Sequence, residues 1–144
     1  MQNTITIPSG DDVFLESPSW FLHGSNAATL QLVDLSNIPE VPDEAVGCWI
    51  QAPIFHGPCP DDLAAVCVLP DPANPSQPSS VNFRTFAQLA HQTPSEFSNS
   101  ISTTGTGGQG QFLIPGTRFY WKVSGANING AELYLQLNGW RMPS

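Results

Sequence analysis

Four side chains within one stretch of the sequence could hold a metal ion: Cys48, His56, Cys59 and Cys67, spaced C-x7-H-x2-C-x7-C. A Cys3His set can close a tetrahedral zinc site. The short C-x2–4-C knuckle that usually opens such a site is missing. Cys48 lies in GCWI and Cys67 in AVCVL, both apolar and strand-like. A free cysteine there packs as a small apolar residue, so core packing is the expected role. A disulfide from Cys67 to Cys48 or Cys59 has no firmer support. Three cysteines is an odd count, and MQNTITIPSGDD has neither a basic region nor a long apolar run of the kind a secretory leader carries. Reduced thiols are therefore expected.

The paired carboxylates Asp11-Asp12 and Asp61-Asp62 could bind calcium or move protons. Neither pair sits in a D-x-[DN]-x-[DN]-G loop. Neighbours in an extended segment also point to opposite sides. Solvated turns explain both pairs. Ser, His and Asp all occur, but G-x-S-x-G does not. His23, His56 and His91 each follow an apolar stretch, where a lone histidine is usually structural. GTGGQG at 105–110 lacks the Lys-Ser/Thr of a phosphate loop and has no evident strand before it or helix after it. The expectation is a protein without catalytic residues, metal or cofactor.

The four tryptophans offer a different chemistry. Trp20, Trp49, Trp121 and Trp140 could stack on sugars or bases. Trp121 alternates with Phe119 and Val123, so it belongs to a core face. Trp20 and Trp140, with their neighbours Phe21 and Arg141, are the candidates for an exposed or interfacial position, and a subunit interface is favoured over a ligand platform.

The elements that must position these residues are strands. Apolar stretches recur at Thr4–Ile7, Val13–Leu15, Trp20–Leu22, Thr29–Leu35, Val46–Gln51, Ala65–Leu69, Val81–Phe83, Phe112–Ile114, Phe119–Ser124 and Glu132–Leu137. Gly- and Pro-rich turns separate most of them. In Arg118–Ser124 the residues Phe119, Trp121 and Val123 oppose Arg118, Tyr120 and Lys122. In Glu132–Asn138 the residues Leu133, Leu135 and Leu137 oppose Glu132, Tyr134, Gln136 and Asn138. That period of two marks half-buried strands. With Asn129-Gly130 between them, an antiparallel hairpin is predicted, its outer face pairing Arg118 or Lys122 with Glu132. Asn138-Gly139 is read as a turn, after which Trp140 folds back as a plug. Helix is scarce: the best candidate is about two turns at Thr85–His91, with single-turn candidates at Asp61–Ala65 and from Ser95.

These readings predict an all-β fold, a single-domain antiparallel sandwich over 1–144, jelly-roll-like or immunoglobulin-like, with long Pro/Gly-rich loops and little helix. PDPANPSQP, within 70–80, and SNSISTTGTGGQGQ, 98–111, are expected to be long loops. Residues 1–12 are expected to form an extended N-terminal arm.

Composition narrows the function. The 144 residues include only 11% charged side chains, against about 25% in typical domains. Ser, Thr, Asn and Gln number 41. A disordered acidic chain would carry more charge and fewer aromatics. A helical bundle would carry more Glu, Lys, Ala and Leu. Four Lys and Arg cannot neutralise many phosphates, so nucleic acid is not an expected partner. No apolar run reaches about 18 residues, so no helix is expected to span a membrane. Residues 1–71 hold ten acids and no Lys or Arg, whereas 72–144 hold two acids and four bases. An acidic face for a basic partner is one reading of that asymmetry; solubility through net charge is the simpler one.

The polar opening MQNTITIPSGDD, the low charge, the abundance of Ser, Thr, Asn and Gln, the Pro- and Gly-rich stretches, and the closing FLIPGTRFYWKVSG through AELYLQLNGW together resemble small structural proteins of bacteriophage virions, most of all head decoration (cement) proteins. That resemblance implies a sandwich subunit that forms a homotrimer on the capsid exterior and bridges subunits of the major capsid protein. Thr4, Ile5, Thr6 and Ile7 would serve as a strand-forming arm, and Trp20, Phe21, Trp140 and Arg141 as further interface residues. Many modest contacts repeated by symmetry would do the holding. The alternatives are another virion component (neck, baseplate or fibre) and a carbohydrate-binding β-sandwich module.

Overall fold

The period-two segments become strands of two antiparallel sheets in a computed structural model that describes residues 7–25, 27–56, 62–89, 111–125 and 131–144. In chain order they are β1 (Gly10–Ser25), β2 (Gln31–Asp34), β3 (Gly47–His56), β4 (Leu63–Asp71), β5 (Asn74–Leu89), β6 (Phe112–Pro115), β7 (Arg118–Ser124) and β8 (Glu132–Pro143). One sheet has the order β1-β8-β3-β6 and the other β2-β7-β4-β5. The pairings are nested: β1 with β8, β2 with β7, β3 with β6, and β4 with β5. The chain thus forms one long hairpin rolled into two sheets, joined laterally by β3·β8 and β4·β7. That nesting is the eight-stranded jelly roll, the first of the two sandwich topologies expected from the sequence.

The predicted hairpin between β7 and β8 does not form. β7 lies in the second sheet and β8 in the first, with 125–131 connecting the two. Phe119, Trp121 and Val123 face the interior from one sheet, and Leu133, Leu135 and Leu137 from the other. Two half-buried strands can bury their apolar faces side by side or face to face, and alternation alone does not distinguish the cases. The polar partners change accordingly. Arg118 meets Asp34 across β2 at 3.7 Å, and Glu132 meets His23 across β1 at 2.8 Å.

Three further expectations are corrected. Residues 70–80 are not a loop but the tip of the β4–β5 hairpin. Asp71 Oδ1 accepts from Ala73 N at 2.9 Å, closing a tight turn around Pro72. The prolines are tolerated because β5 is an edge strand, and because Pro70 lies beyond the last β4–β7 pair, Val68 with Tyr120. The predicted helix at Thr85–His91 is strand as far as Leu89, where pairing with β4 overrides local propensity. Gly10, Asp11 and Asp12, expected within an arm at 1–12, already pair with β8. Residues 90–91, residues 98–110, expected to form a loop, and Thr4, Ile5 and Thr6, expected in the arm, lie outside the described residues.

Bulges decide which side chains face outward. In β1 the register slips between Trp20 and Leu22. Phe21 and Leu22 therefore both pack on the core, while Trp20 is exposed and contacts Tyr134 on the outward face. β8 runs through Asn138-Gly139 rather than turning there, and Trp140 packs against the core from within the strand. Gly139 is required by close approach: a Cβ there would stand 2.2 Å from the carbonyl oxygen of Val13. The interior is sealed by Phe55, Phe119, Leu35, Ile50, Ile114 and the three β8 leucines, all fully buried. Each such side chain contributes about 1.5–3 kcal/mol through burial.

Candidate functional site

The thiols belong to the interior. Cys48 on β3 and Cys67 on β4 are buried and free, and burial pushes both up to about 12. Among the described residues no three His, Cys, Asp or Glu side chains gather as a metal would require; Cys59 lies outside the described residues. In a Cys59→Ser chain, Cys48 and Cys67 should resist a disulfide reagent until the protein unfolds, since the thiolate is the reacting form. Rapid, stoichiometric labelling of the folded chain would contradict this placement.

The carboxylates are structural as well. Asp12 holds Arg141 in a two-pronged pair, Nε to Oδ1 at 2.8 Å and Nη2 to Oδ2 at 3.1 Å. Arg141 also donates to the carbonyl of Pro8 at 3.2 Å, tying the entering chain to β8. Arg141 holds the Asp12 carboxyl below its ordinary value, helped by the nearby indole N–H of Trp49, which makes no complete hydrogen bond. Asp34 caps the 3-10 turn Leu35–Asn37, accepting from Ser36 Oγ at 2.6 Å and Ser36 N at 3.0 Å. The Ser36 hydroxyl, the Ser36 N–H and Thr117 hold Asp34 low. Both groups are lower in the folded chain than unfolded. Their stabilisation is present above the unfolded carboxylate value, about 3.9, and is lost as pH falls through the folded values. Asp34→Ala should cost about 0.5–2 kcal/mol at neutral pH in urea unfolding and should flatten the acid decline. An unchanged decline below about pH 4 would contradict the assignment.

Among the described residues, the outward sides of the two sheets present the broadest candidate surfaces. On β2-β7-β4-β5 the register places Leu32 opposite Tyr120, Tyr120 opposite Val68, and Val68 opposite Phe83. This is one apolar row across all four strands. Its ends stand in solvent, Leu32 at 50% and Phe83 at 65% exposure. A bulge in β5 sets Phe83 there, with Ser79 Oγ accepting from Val81 N and Asn82 N at 3.1 and 2.9 Å. The Asp34–Arg118 pair borders the row on one side and Lys122 on the other. Beside it Val66, Val68, Phe83 and Thr85 line a shallow groove of about 370 Å³. The middle of the row is already covered, Tyr120 at 9% and Val68 at 8% exposure with the Tyr120 hydroxyl donating to the Ser76 carbonyl, so its exposed ends are what a partner would cover. Exposed apolar side chains beside a polar rim are a usual feature of protein interfaces.

The outward side of β1-β8-β3-β6 is aromatic and amidic. Trp20, 53% exposed, meets the ring of Tyr134 edge-on at 6.2 Å. Tyr134 stacks on His23 at 4.2 Å, and His23 Nε2 lies 2.8 Å from Glu132 Oε2. Gln136 stands opposite both Trp20 and Gln51.

Of the residues singled out from sequence, Trp20 lies on this second face. Phe21 meets Phe119 in the core, Trp140 packs against the core, and Arg141 is engaged by Asp12. Ile7, 41% exposed, lines a cleft of about 250 Å³ with Leu69, Phe83, Arg84 and Phe112. It therefore approaches the Phe83 end of the apolar row. The exposure of Leu32 and Phe83 was not legible in the sequence; Tyr120, read on the wetter face of its strand, lies outward there but is largely covered, as is Val68. Apolar residues in short strands read as core, and only the pairing shows which side they take. No protein-family model, curated protein or solved structure matches the chain.

Proposed function

We propose that this protein is a structural virion subunit that decorates and cements a phage capsid, self-associating as a homotrimer and bridging subunits of the major capsid protein. The apolar row Leu32–Tyr120–Val68–Phe83 carries the reading. Fully covering one Leu or Phe side chain contributes about 1.5–3 kcal/mol. Two half-exposed ends per subunit, repeated by symmetry, supply enough for a specific assembly through many modest contacts. In this reading residues 1–9 serve as the arm that grips the lattice, and Ile7 lies at the Phe83 end of that face.

The test is sedimentation of the full chain with shells assembled from the major capsid protein alone. The chain should co-sediment at a fixed number per lattice point. Removing residues 2–9 should lower that number while leaving the mass of the free protein unchanged. Absence from the shell pellet at about 10 µM, a concentration that reports even weak association, would overturn the reading.

A further inference from the structure

The outward face of β1-β8-β3-β6 differs in chemistry from the apolar row on the other sheet. Trp20 on edge strand β1 stands opposite Gln136 on β8, which stands opposite Gln51 on β3. Asn138 Nδ2 donates to Gln51 Oε1 at 3.1 Å and to Gln111 Oε1, just before β6, at 2.7 Å. The bulge of β8 at Asn138 allows this bridge. An exposed indole and a row of primary amides thus cross the sheet from one edge to the other. At about 4.8 Å per strand the row is about 14 Å long.

We infer that this face binds a neutral oligosaccharide. The faces of sugar rings present C–H groups, which pack against a flat aromatic ring, and Trp provides that area at little entropic cost. Sugar hydroxyls are at once donors and acceptors, and primary amides match them with two N–H donors and a carbonyl acceptor. Gln51 and Gln111 each spend their oxygen on Asn138, and their NH2 groups are the donors they offer. The aromatic anchor is held in advance: Tyr134 backs Trp20, His23 stacks on Tyr134, and Glu132 holds His23. A side chain fixed before binding loses less freedom on binding. Charge selects the class of sugar. Arg141, near Trp49 on the same sheet, is engaged by Asp12; no Lys or Arg stands in the amide row itself, and Glu132 would repel a carboxylate or sulfate group. The length of the row fits a chain of sugars rather than a single ring. The inference stands apart from the assembly proposal, because the two faces are on opposite sheets.

The test titrates the full chain with hexamers of β-1,4-glucose, α-1,4-glucose and β-1,4-N-acetylglucosamine, and with an oligogalacturonate as the acidic control. Indole fluorescence and calorimetry are the readouts. At least one neutral hexamer should bind, Trp20→Ala should weaken it by about tenfold, and Gln51→Ala should weaken it with the indole emission still responding. Trp20 is half exposed, so its removal leaves the fold intact, which circular dichroism verifies. Three results would overturn the inference: no neutral hexamer binding at about 10 mM, undiminished affinity in Trp20→Ala, or preference for the acidic control.

Discussion

Phe119→Ala should destabilise the protein by about 3–5 kcal/mol, a large part of the whole stability of an ordinary domain. Phe119 is fully buried on β7 and meets Phe21 at 6.2 Å and Phe86 at 5.9 Å, both edge-on. Phe21 belongs to the first sheet and Phe86 to the second, and Phe86 continues to Phe112 at 5.5 Å. One ring therefore sits at the centre of an aromatic bridge between the layers. Its removal leaves a cavity that two rigid sheets close poorly, so the cavity cost adds to the lost burial. Phe119→Leu should cost markedly less. Phe83→Ala is the informative contrast. Phe83 is 65% exposed, so its loss should change subunit stability by no more than about 0.5 kcal/mol. Urea unfolding of the three variants at low protein concentration measures these differences. Equal costs at positions 119 and 83 would mean that the interior has been assigned to the wrong side.

If the proposed homotrimer forms through the outward face of β2-β7-β4-β5, the double substitution Leu32→Glu with Phe83→Glu should convert it to single folded chains. Both positions lie at the solvent ends of the apolar row. In an isolated subunit the new carboxylates remain hydrated and the fold is undisturbed. In an assembly that covers this face, the two carboxylates must lose water while Arg118 is engaged by Asp34 and Lys122 is a single cation against two, a penalty of several kcal/mol for the ion left unpaired. Because that penalty recurs in every subunit, assembly should fail outright rather than weaken. Trp20→Ala on the opposite sheet should leave the assembly state untouched. Light scattering reports the mass, and far-UV circular dichroism confirms the fold.

Sandwich class was readable because period-two alternation directly records one buried and one wetter face. Phe119, Trp121, Val123 and the β8 leucines were placed in the core on that basis, and they are there. The neighbour of each strand was not readable. Arg118–Ser124 and Glu132–Leu137, joined by an Asn-Gly turn signal, satisfy a hairpin and a face-to-face crossing equally, and the nested pairing selects the crossing. The prolines of 70–80 suggested a loop because their tolerance depends on β5 being an edge strand, a property of the sheet and not of the segment. Among the surface residues, Trp20 was legible because, unlike Trp121, it does not alternate with other core residues. Phe83 was not, because Val81 and Phe83 alternate as core residues do. Only the Ser79-centred bulge and the pairing with Val68 turn Phe83 outward.

The mass of the free protein in solution, by light scattering across a range of concentrations, decides whether the subunits self-associate. Self-association through the outward face of β2-β7-β4-β5 predicts three chains per particle for the native sequence and one for the Leu32→Glu, Phe83→Glu variant. A native protein that remains a single chain at every concentration, or a variant that assembles as the native does, would contradict it.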